Sequence, residues 1–325
     1  MFRGSLAGLC AVLTLASSDG GRLRPQDPRE VRELTADLTA VDPVVRTRAA
    51  CALRDAGDRA AEAIPVLTKM LADGAPVDGT VCARRWHGGP SDLTSPGEQA
   101  AAALAAIGSR AFQPVLAALK HEAWVARRNA AWTLGALDDT QAAGALVEAL
   151  RDHEAPVREQ AAWALGALDD RSAVPALIAA LKDADARVRR QAAWALGAID
   201  DRAAVPGLSQ ALGDSDEKTR SQAAWALGAI DDRAAVQPLV RALGDASPLV
   251  RKQAAWALGA IDDPAAVEGL VRALTDQHAE VREQAAWALG AIGDSTALPG
   301  LLTALKDNSA GVRRQAAWAI GAIGR

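Results

Sequence analysis

Apolar side chains recur at helical spacing along most of this chain, in two alternating stripes. One stripe comprises Val174, Leu177, Ile178 and Leu181, and the next comprises Val188, Ala192, Ala195, Leu196 and Ile199. Spacings of three and four residues are typical of one face of an amphipathic helix. Because neither helix can bury its stripe alone, the pattern predicts helix pairs that stack into one continuous core.

The pattern returns with a fixed period, which the tryptophans make visible. Seven of them lie 31 residues apart, at Trp132, Trp163, Trp194, Trp225, Trp256, Trp287 and Trp318. Around them the phrase Gln-Ala-Ala-Trp-Ala-Leu-Gly-Ala-Ile recurs, as in Gln191–Ile199. A fixed period of this kind indicates a tandem-repeat architecture.

Two degenerate copies precede the regular ones. Arg46–Ala56 and Gln99–Ile107 match the second-helix phrase, with Cys51 and Ala102 at the tryptophan position. Cys51 and Ala102 are 51 residues apart, twenty more than one period. The extra residues form an insertion at about residues 73–96, where Gly, Pro and Asp favour turns. We therefore predict an all-α fold, an α-solenoid of about nine two-helix repeats over residues 28–325. Degenerate repeats occupy residues 28–107, and regular repeats occupy residues 108–325.

Two charged positions share the period. Aspartates stand between the helices at Asp152, Asp183, Asp214, Asp245, Asp276 and Asp307, and arginines open the second helix at Arg158, Arg189, Arg220, Arg251, Arg282 and Arg313. These rows predict a ladder of ion pairs and carbonyl caps, broken where His121 and Gly97 replace Asp and Arg. A second set, Asp170, Asp201, Asp232 and Asp263, is placed to cap the first helices.

The period, the helix pairing and the Asp and Arg positions resemble the HEAT-repeat family, especially the short bacterial HEAT-like repeat of phycobilin lyases. The resemblance implies a right-handed superhelix whose second helices line the concave surface. On a wheel of about 100° per residue, Trp194 lies near 240° when Val188 is at zero, well away from the core stripe. The candidate binding residues are thus the seven tryptophans with Arg190, Gln160, Gln191, Gln222, Gln253, Gln284 and Gln315.

Two interpretations of the tryptophan row stay open. Exposed aromatic rows often mark interaction surfaces, and one turn of a polyproline II segment, about 9 Å, roughly matches one repeat. The row would then hold a partner protein or an extended, Pro-rich peptide. Alternatively, duplication copied a tryptophan that only packs between repeats. The neighbouring charges change from repeat to repeat and could set the register of a ligand; they are Arg128, Glu159, Arg190, Ser221, Lys252, Glu283 and Arg314.

The net charge and the N-terminal sequence limit the possible ligands and the cellular compartment. A formal net charge of −4 argues against a general nucleic-acid binder, which needs a basic surface. Residues 1–18 resemble a signal peptide, with Arg3 before a short apolar run and a linker at 19–27, and that run is too short for a stable membrane span. We therefore expect an exported protein, periplasmic or extracellular, in which Cys51 and Cys82 could form a disulfide.

The second candidate function is an auxiliary enzyme of the HEAT-like lyase or metal-dependent hydroxylase kind. Deoxyhypusine hydroxylases bind iron through His-Glu pairs on the second helix, whereas His121-Glu122 and His153-Glu154 fall between helices here. The sequence has no phosphate-binding glycine loop and no nucleophile elbow. We therefore expect no catalytic residue, no metal site and no cofactor.

Two further segments are candidates for contacts. The insertion carries a compact cluster of Arg84, Arg85, Trp86 and His87, which we interpret as a second contact site, an end cap or a decorated linker. The last repeat keeps its consensus form as far as Ile323 with no polar capping helix after it. Solenoids usually need such a cap, so we expect this repeat to pair with a partner or to self-associate.

Overall fold

The computed structural model describes residues 28–82 and 93–324. The predicted signal peptide, the linker at 19–27 and the cluster at residues 84–87 lie outside the described residues. Contacts divide the chain into an N-terminal unit that ends at Leu168 and a C-terminal unit that begins at Asp169. Each unit is built from the same two-helix repeat.

The described residues contain eighteen α-helices: α1 (Pro28–Asp37), α2 (Pro43–Ala56), α3 (Ile64–Met70), α4 (Pro96–Ile107), α5 (Phe112–Ala118), α6 (Trp124–Leu137), α7 (Ala143–Ala149), α8 (Ala155–Ala167), α9 (Val174–Ala180), α10 (Ala186–Ile199), α11 (Val205–Ala211), α12 (Glu217–Ile230), α13 (Val236–Ala242), α14 (Pro248–Ile261), α15 (Val267–Ala273), α16 (Ala279–Ile292), α17 (Leu298–Ala304) and α18 (Ala310–Ile323). Short 3-10 turns lead into most of the first helices: Gly57–Ala63, Ser109–Ala111, Thr140–Ala142, Arg171–Ala173, Arg202–Ala204, Arg233–Ala235, Pro264–Ala266 and Ser295–Ala297. A further 3-10 turn, Gly79–Val81, lies in the insertion.

Consecutive helices pair, α1 with α2 through α17 with α18, which gives nine repeats in the described residues. Within each unit, the second helix of one repeat packs along the second helix of the next, as α12 does against α14. The prediction of an all-α solenoid with nine two-helix repeats is therefore confirmed. Four repeats belong to the N-terminal unit and five to the C-terminal unit.

A pair of aspartates ends one repeat and begins the next. Asp200 ends α10 in the left-handed conformation, with φ of 51°, which a short polar side chain tolerates better than most. The carboxylate of Asp201 then accepts a hydrogen bond of 2.9 Å from the backbone N–H of Ala203 and caps the following turn. The predicted caps at Asp170, Asp232 and Asp263 make the same bond. A glycine, Gly293, takes the left-handed position after α16.

The core is wider than the predicted stripes. Val188, Leu196 and Ile199 are buried as expected, but Ala193 and Gly197 are fully or almost fully buried too. Both small residues lie outside the predicted stripe, and Gly197 is buried because Trp225 and Ala226 of the following second helix lie against it. An amphipathic pattern that separates apolar from polar positions does not distinguish a second, small-residue contact of this kind.

The insertion forms a small, covalently fixed structure against the second helix of the first repeat, α2. Strand β1 (Val77–Asp78) pairs antiparallel with β2 (Leu93–Thr94), with Val77 opposite Thr94. A disulfide joins Cys51 of α2 to Cys82, with their Cα atoms 6.1 Å apart. Both cysteines are buried. The segment predicted from its turn residues thus also includes a two-stranded sheet, because strands of two residues have too few positions to show a periodic pattern.

Candidate functional site

We define the tryptophan face as the side of the second helices that carries Trp132, Trp163, Trp194, Trp225, Trp256, Trp287 and Trp318, with the glutamines three residues before each from Gln160 onward. Each unit carries its own part of this face. The tryptophans from Trp132 to Trp287 are half-buried, whereas Trp318 in the last repeat is 44% exposed. In the C-terminal unit, the difference indicates that the next repeat covers part of the indole before it and leaves the rest open.

Within each unit, the buried part of an indole lies against a glycine of the preceding repeat, as Trp163 does against Gly135 and Trp256 does against Gly228. A Cβ atom added at Gly228 would lie 2.8 Å from Cζ3 of Trp256 and 2.7 Å from the Cα atom of Ala257. The same contact joins Gly197 to Trp225 and Gly259 to Trp287. Distances below 3 Å leave no room for a side chain, so the glycine is required for the close approach of successive second helices. One edge of the tryptophan therefore packs between repeats.

In the N-terminal unit, two indoles of the face stack on each other. The rings of Trp132 and Trp163 have centroids 6.0 Å apart and planes that differ by 6°, an offset parallel arrangement. Nearby, Trp124 is 38% exposed, and the guanidinium of Arg128 lies 5.6 Å from the centroid of its ring. This unit therefore presents aromatic surface together with a cation–π contact.

The glutamines of the tryptophan face are half-buried. Across the described residues, no other side chain or backbone group forms a hydrogen bond with these amides. The equivalent position before Trp132 is Asn129, which behaves differently. It is buried, and its side-chain amide donates a hydrogen bond of 2.9 Å to the carbonyl oxygen of Leu71. From Gln160 onward the amides keep their donor and acceptor capacity for a ligand.

The changing charges beside the tryptophans are only partly neutralised. Arg128 pairs with Glu98 at 2.9 Å, and Arg314 pairs with Glu283 at 3.2 Å. By contrast, no ion pair to Arg190, the predicted binding residue, is found in the part of the chain that the structure describes. Arg190 is half-buried in α10. The electrostatic character of the face therefore varies along the chain, whereas its aromatic and amide groups do not.

The predicted ladder of Asp and Arg lies within each unit and holds successive repeats together. Arg189 donates through Nε and Nη2 to both carboxylate oxygens of Asp214, at 2.7 Å each. Its Nη1 donates 2.9 Å to the carbonyl oxygen of Asp183. The same bidentate bond repeats in the pairs Arg220–Asp245, Arg251–Asp276 and Arg282–Asp307. This bidentate geometry is the strong form of the Arg–carboxylate interaction.

The ladder aspartates are held in their ionised form. Burial raises the pKa of Asp214, but the hydrogen bonds from Arg189 and from the backbone N–H of Asp216 outweigh it and bring the pKa below its ordinary value. The pKa values of Asp245 and Asp276 are lowered by the same balance. In Asp307 the hydrogen bond from Arg282 is the largest influence and lowers the pKa directly. The bonds to the carboxylates correspondingly raise the pKa of their arginines.

Sequence reasoning missed two pairs of the ladder. Arg127 binds Asp152 at 2.6 Å, and Arg46 of the degenerate first repeat binds Asp73 at 2.7 Å. Both could have been found by extending the 31-residue register and by allowing for the insertion. The predicted break is present: where Gly97 stands, its backbone N–H instead donates a hydrogen bond of 2.9 Å to the carbonyl oxygen of Asp73.

The histidines do not gather into a metal site in the described residues, where no group of three or more potential ligands was found. His121 and His153 are exposed in the turns between helices. A groove of about 340 Å³ lies elsewhere, between α9 and α11, and is lined by residues such as Ile178, Lys182 and Gln210. It collects few polar groups, and Asp214 at its edge is already bound by Arg189.

Tandem helix pairs in contact through glycine and alanine, joined by a ladder of Asp and Arg, define an α-solenoid of stacked repeats. A family model described as HEAT repeats matches residues 98–165, 145–220, 205–288 and 267–325. A second model, described as PBS lyase HEAT-like repeat, matches residues 45–73. These matches cover more than half of the chain, so it belongs to the HEAT-repeat family.

Several solved structures are similar to this chain. The CpcE–CpcF phycocyanin lyase complex from Nostoc sp. PCC7120 is 28% identical over 66% of this chain and 93% of that chain, with a TM-score of 0.44. YibA of E. coli is 22% identical over 80% of this chain and 91% of that chain, with a TM-score of 0.57. Kap95p is 16% identical over 90% of this chain and 47% of its own, with a TM-score of 0.67.

A search among curated proteins gave no match. Among the described residues, no helix has both the length and the apolar character needed to cross a membrane.

Proposed function

We propose that this HEAT-repeat chain is a non-catalytic scaffold whose tryptophan face binds a partner protein through an extended, Pro-containing segment. One observation carries the proposal. From Gln160 onward, every repeat presents a partly exposed indole beside a glutamine amide that no other residue binds. Indole surface stacks on proline rings, and amides bind the free carbonyl groups of a polyproline II backbone.

Packing between repeats accounts for part of this pattern. The contact with the preceding glycine explains why an aromatic ring is kept at the tryptophan position. It does not explain the glutamines, because a half-buried amide without a hydrogen bond contributes little to folding. We therefore assign the indole both roles, with one edge packed and the other available to a ligand.

The similarity in fold to Kap95 is consistent with a macromolecular partner but does not identify one. Kap95, which shares the solenoid fold, was solved in complexes with RanGDP and with Nup1. At 16% and 17% identity, the likeness concerns the fold alone.

The glutamines allow a test that spares the core. We would compare the wild type with the triple variant Gln191→Ala, Gln222→Ala and Gln253→Ala on an array of extended peptides with and without proline. The matched control removes three exposed glutamines from the same unit but away from the face, as Gln210→Ala, Gln237→Ala and Gln277→Ala.

We expect the wild type and the control to select the same Pro-containing peptides and the face variant to lose them. Circular dichroism should show equal helix content in all three proteins. No preference of the wild type for extended Pro-containing peptides would contradict the proposal. Equal peptide selection by the face variant would refute the role of the glutamine amides on which the proposal rests.

We also propose that the protein is exported. The disulfide between Cys51 and Cys82 supports this, because such bonds persist in oxidising compartments. Intact-mass analysis of the protein from its native source should show loss of the segment up to about residue 18 and a mass lower by two hydrogens. A reduced protein that retains its N-terminus would contradict export.

Self-association through the last repeat is a separate proposal. Leu302, Leu305 and Trp318 there are 54%, 37% and 44% exposed, and exposed apolar groups of this size favour association. Sedimentation velocity over a range of concentrations should show a dimer that Leu302→Ser weakens. A monomer at the highest concentration would contradict it.

A further inference from the structure

Three cations mark one stretch of the tryptophan face in the C-terminal unit. Arg190 and Lys252 stand four residues before Trp194 and Trp256, on α10 and α14. Between them on α12, Lys218 stands seven residues before its tryptophan. Positions four and seven residues apart share one side of a helix. We call these three residues the basic stretch.

The basic stretch differs from neighbouring cations because the protein does not neutralise it. Across the described residues, no ion pair joins Arg190, Lys218 or Lys252 to an acidic group. The ladder arginines one position away are engaged by aspartate, as Arg189 and Arg251 are. Charges left without an internal partner cost little to hold at the surface and remain available to a ligand.

Acidic groups limit the basic stretch on one side. On α16, the residues equivalent to Lys218 and Lys252 are Glu280 and Glu283. Glu283 is bound by Arg314 at 3.2 Å. Close to the stretch itself, Glu217 lies in the first turn of α12. Cations without an internal acidic partner therefore lie on α10, α12 and α14, whereas α16 carries acidic residues at the equivalent positions.

We propose that the basic stretch selects an acidic segment of the partner, with a carboxylate about every third residue and proline between them. This inference rests on the proposed function and names the chemistry of the ligand. Second helices lie about 8–10 Å apart, and three residues of polyproline II advance about 9 Å. Each carboxylate can then meet one helix while the intervening residues lie on Trp194, Trp225 and Trp256.

A nucleic acid fits the observations less well. Nucleic-acid affinity comes largely from many phosphate contacts, on the order of six to ten for a typical site. The basic stretch offers three cations, and the chain carries a net charge of −4. A peptide that combines a few carboxylates with apolar and backbone groups matches this surface better.

The test uses the full chain and dye-labelled synthetic peptides made of repeated Glu-Pro-Pro, Gln-Pro-Pro or Lys-Pro-Pro triplets. The charge-reversed variant combines Arg190→Glu, Lys218→Glu and Lys252→Glu. The matched control reverses three exposed cations of the same unit that lie on or just after first helices, as Lys182→Glu, Arg241→Glu and Lys306→Glu. The dissociation constants are measured by fluorescence anisotropy at low and at physiological ionic strength.

We expect the wild type and the control to bind the Glu peptide about tenfold or more tightly than the Gln peptide, from three exposed ion pairs. Added salt should reduce that preference. The charge-reversed variant should lose it and favour the Lys peptide instead.

Other outcomes separate this inference from the proposed function. If all three proteins bind the Gln peptide as well as the Glu peptide, the acidic selectivity is refuted while the proposed function stands. If none of the peptides binds, both are refuted. A single-stranded oligothymidylate that binds the wild type more tightly than the Glu peptide, and is lost on charge reversal, would assign the basic stretch to nucleic acid and overturn the inference.

Discussion

Replacing Gly135 by alanine tests whether contact between helix backbones sets the spacing of the repeats. A Cβ atom at this position would lie 2.8 Å from the Cα atom of Ala164 and 2.9 Å from Cζ3 of Trp163. Ordinary carbon–carbon contacts are about 3.5–4.0 Å, so α6 and α8 would have to separate by roughly 1 Å. Gly144 in α7 provides the matched control, because its Cβ would meet no atom within 4 Å.

The two variants should change the free energy of unfolding in opposite directions. Alanine gains about 0.5–1 kcal/mol over glycine within a helix, and Gly144→Ala should show part or all of that gain. At Gly135 the overpacking cost of about 1–3 kcal/mol exceeds the gain. We therefore expect Gly135→Ala to be less stable than the wild type by about 1–2 kcal/mol.

Urea denaturation followed by circular dichroism gives the global comparison. Because repeat arrays can unfold in parts, hydrogen exchange of the amides in α6 and α8 gives the local one. Exchange in these helices should accelerate in Gly135→Ala and remain unchanged in Gly144→Ala. A Gly135→Ala protein as stable as Gly144→Ala would show that the helices adjust freely and would refute the reasoning.

Four further predictions concern stability. Loss of the disulfide in the variant Cys51→Ala, Cys82→Ala, which opens a loop of 31 residues, should lower the free energy of unfolding by about 3.7 kcal/mol; no change in urea midpoint would contradict this. Arg251→Ala should cost about 3 kcal/mol because its ion pair is only 12% and 11% exposed, whereas the control Arg233→Ala, at 82% exposed, should cost at most about 0.5 kcal/mol. Since the ladder aspartates have lowered pKa values, their stabilisation is complete above the unfolded pKa of about 3.9 and is lost as pH falls through the lower folded values; acid titration of the thermal midpoint should show this loss, and a flat profile would contradict it. Asp231→Gly should raise the free energy of unfolding by about 0.5–1 kcal/mol, because glycine adopts the left-handed backbone, with φ of 52°, without strain. Burial raises the pKa of Asp231, so its ionised form disfavours folding and the gain should shrink as pH falls and the carboxylate becomes protonated. Denaturation at neutral and at acidic pH measures both effects.

The sequence was sufficient to predict the helix pairs, the caps at Asp170, Asp201, Asp232 and Asp263, and the ladder of Asp and Arg. These features depend on local spacing and on residue types that have one obvious role. The sequence did not reveal why Gly197 recurs in the second helix, because the atom that excludes a side chain there belongs to the next repeat. For the same reason the sequence did not show which edge of each indole is packed and which is exposed. A helical wheel gives the direction of a side chain but does not show which neighbouring helix covers it.

The two-stranded sheet of the insertion could not be predicted from the sequence for a different reason. A two-residue strand such as Val77–Asp78 is too short to show periodicity. It pairs with Leu93–Thr94, a segment more than ten residues further along the sequence. Of the tryptophan face, the sequence gives the position of each residue. It does not show which cations the fold neutralises, so Arg190 and Arg128 looked equivalent until the pairing of Arg128 with Glu98 separated them.

The close contact between glycine and the next second helix has a consequence for affinity. Because the same glycine contact recurs at Gly197, Gly228 and Gly259, we expect the C-terminal unit to present its tryptophans as contact points at a nearly constant interval. Once one triplet of a ligand is bound, the next triplet is held at a high effective concentration over the next indole. Affinity should then grow by a similar factor with each added triplet and fall sharply for ligands whose own repeat is out of step.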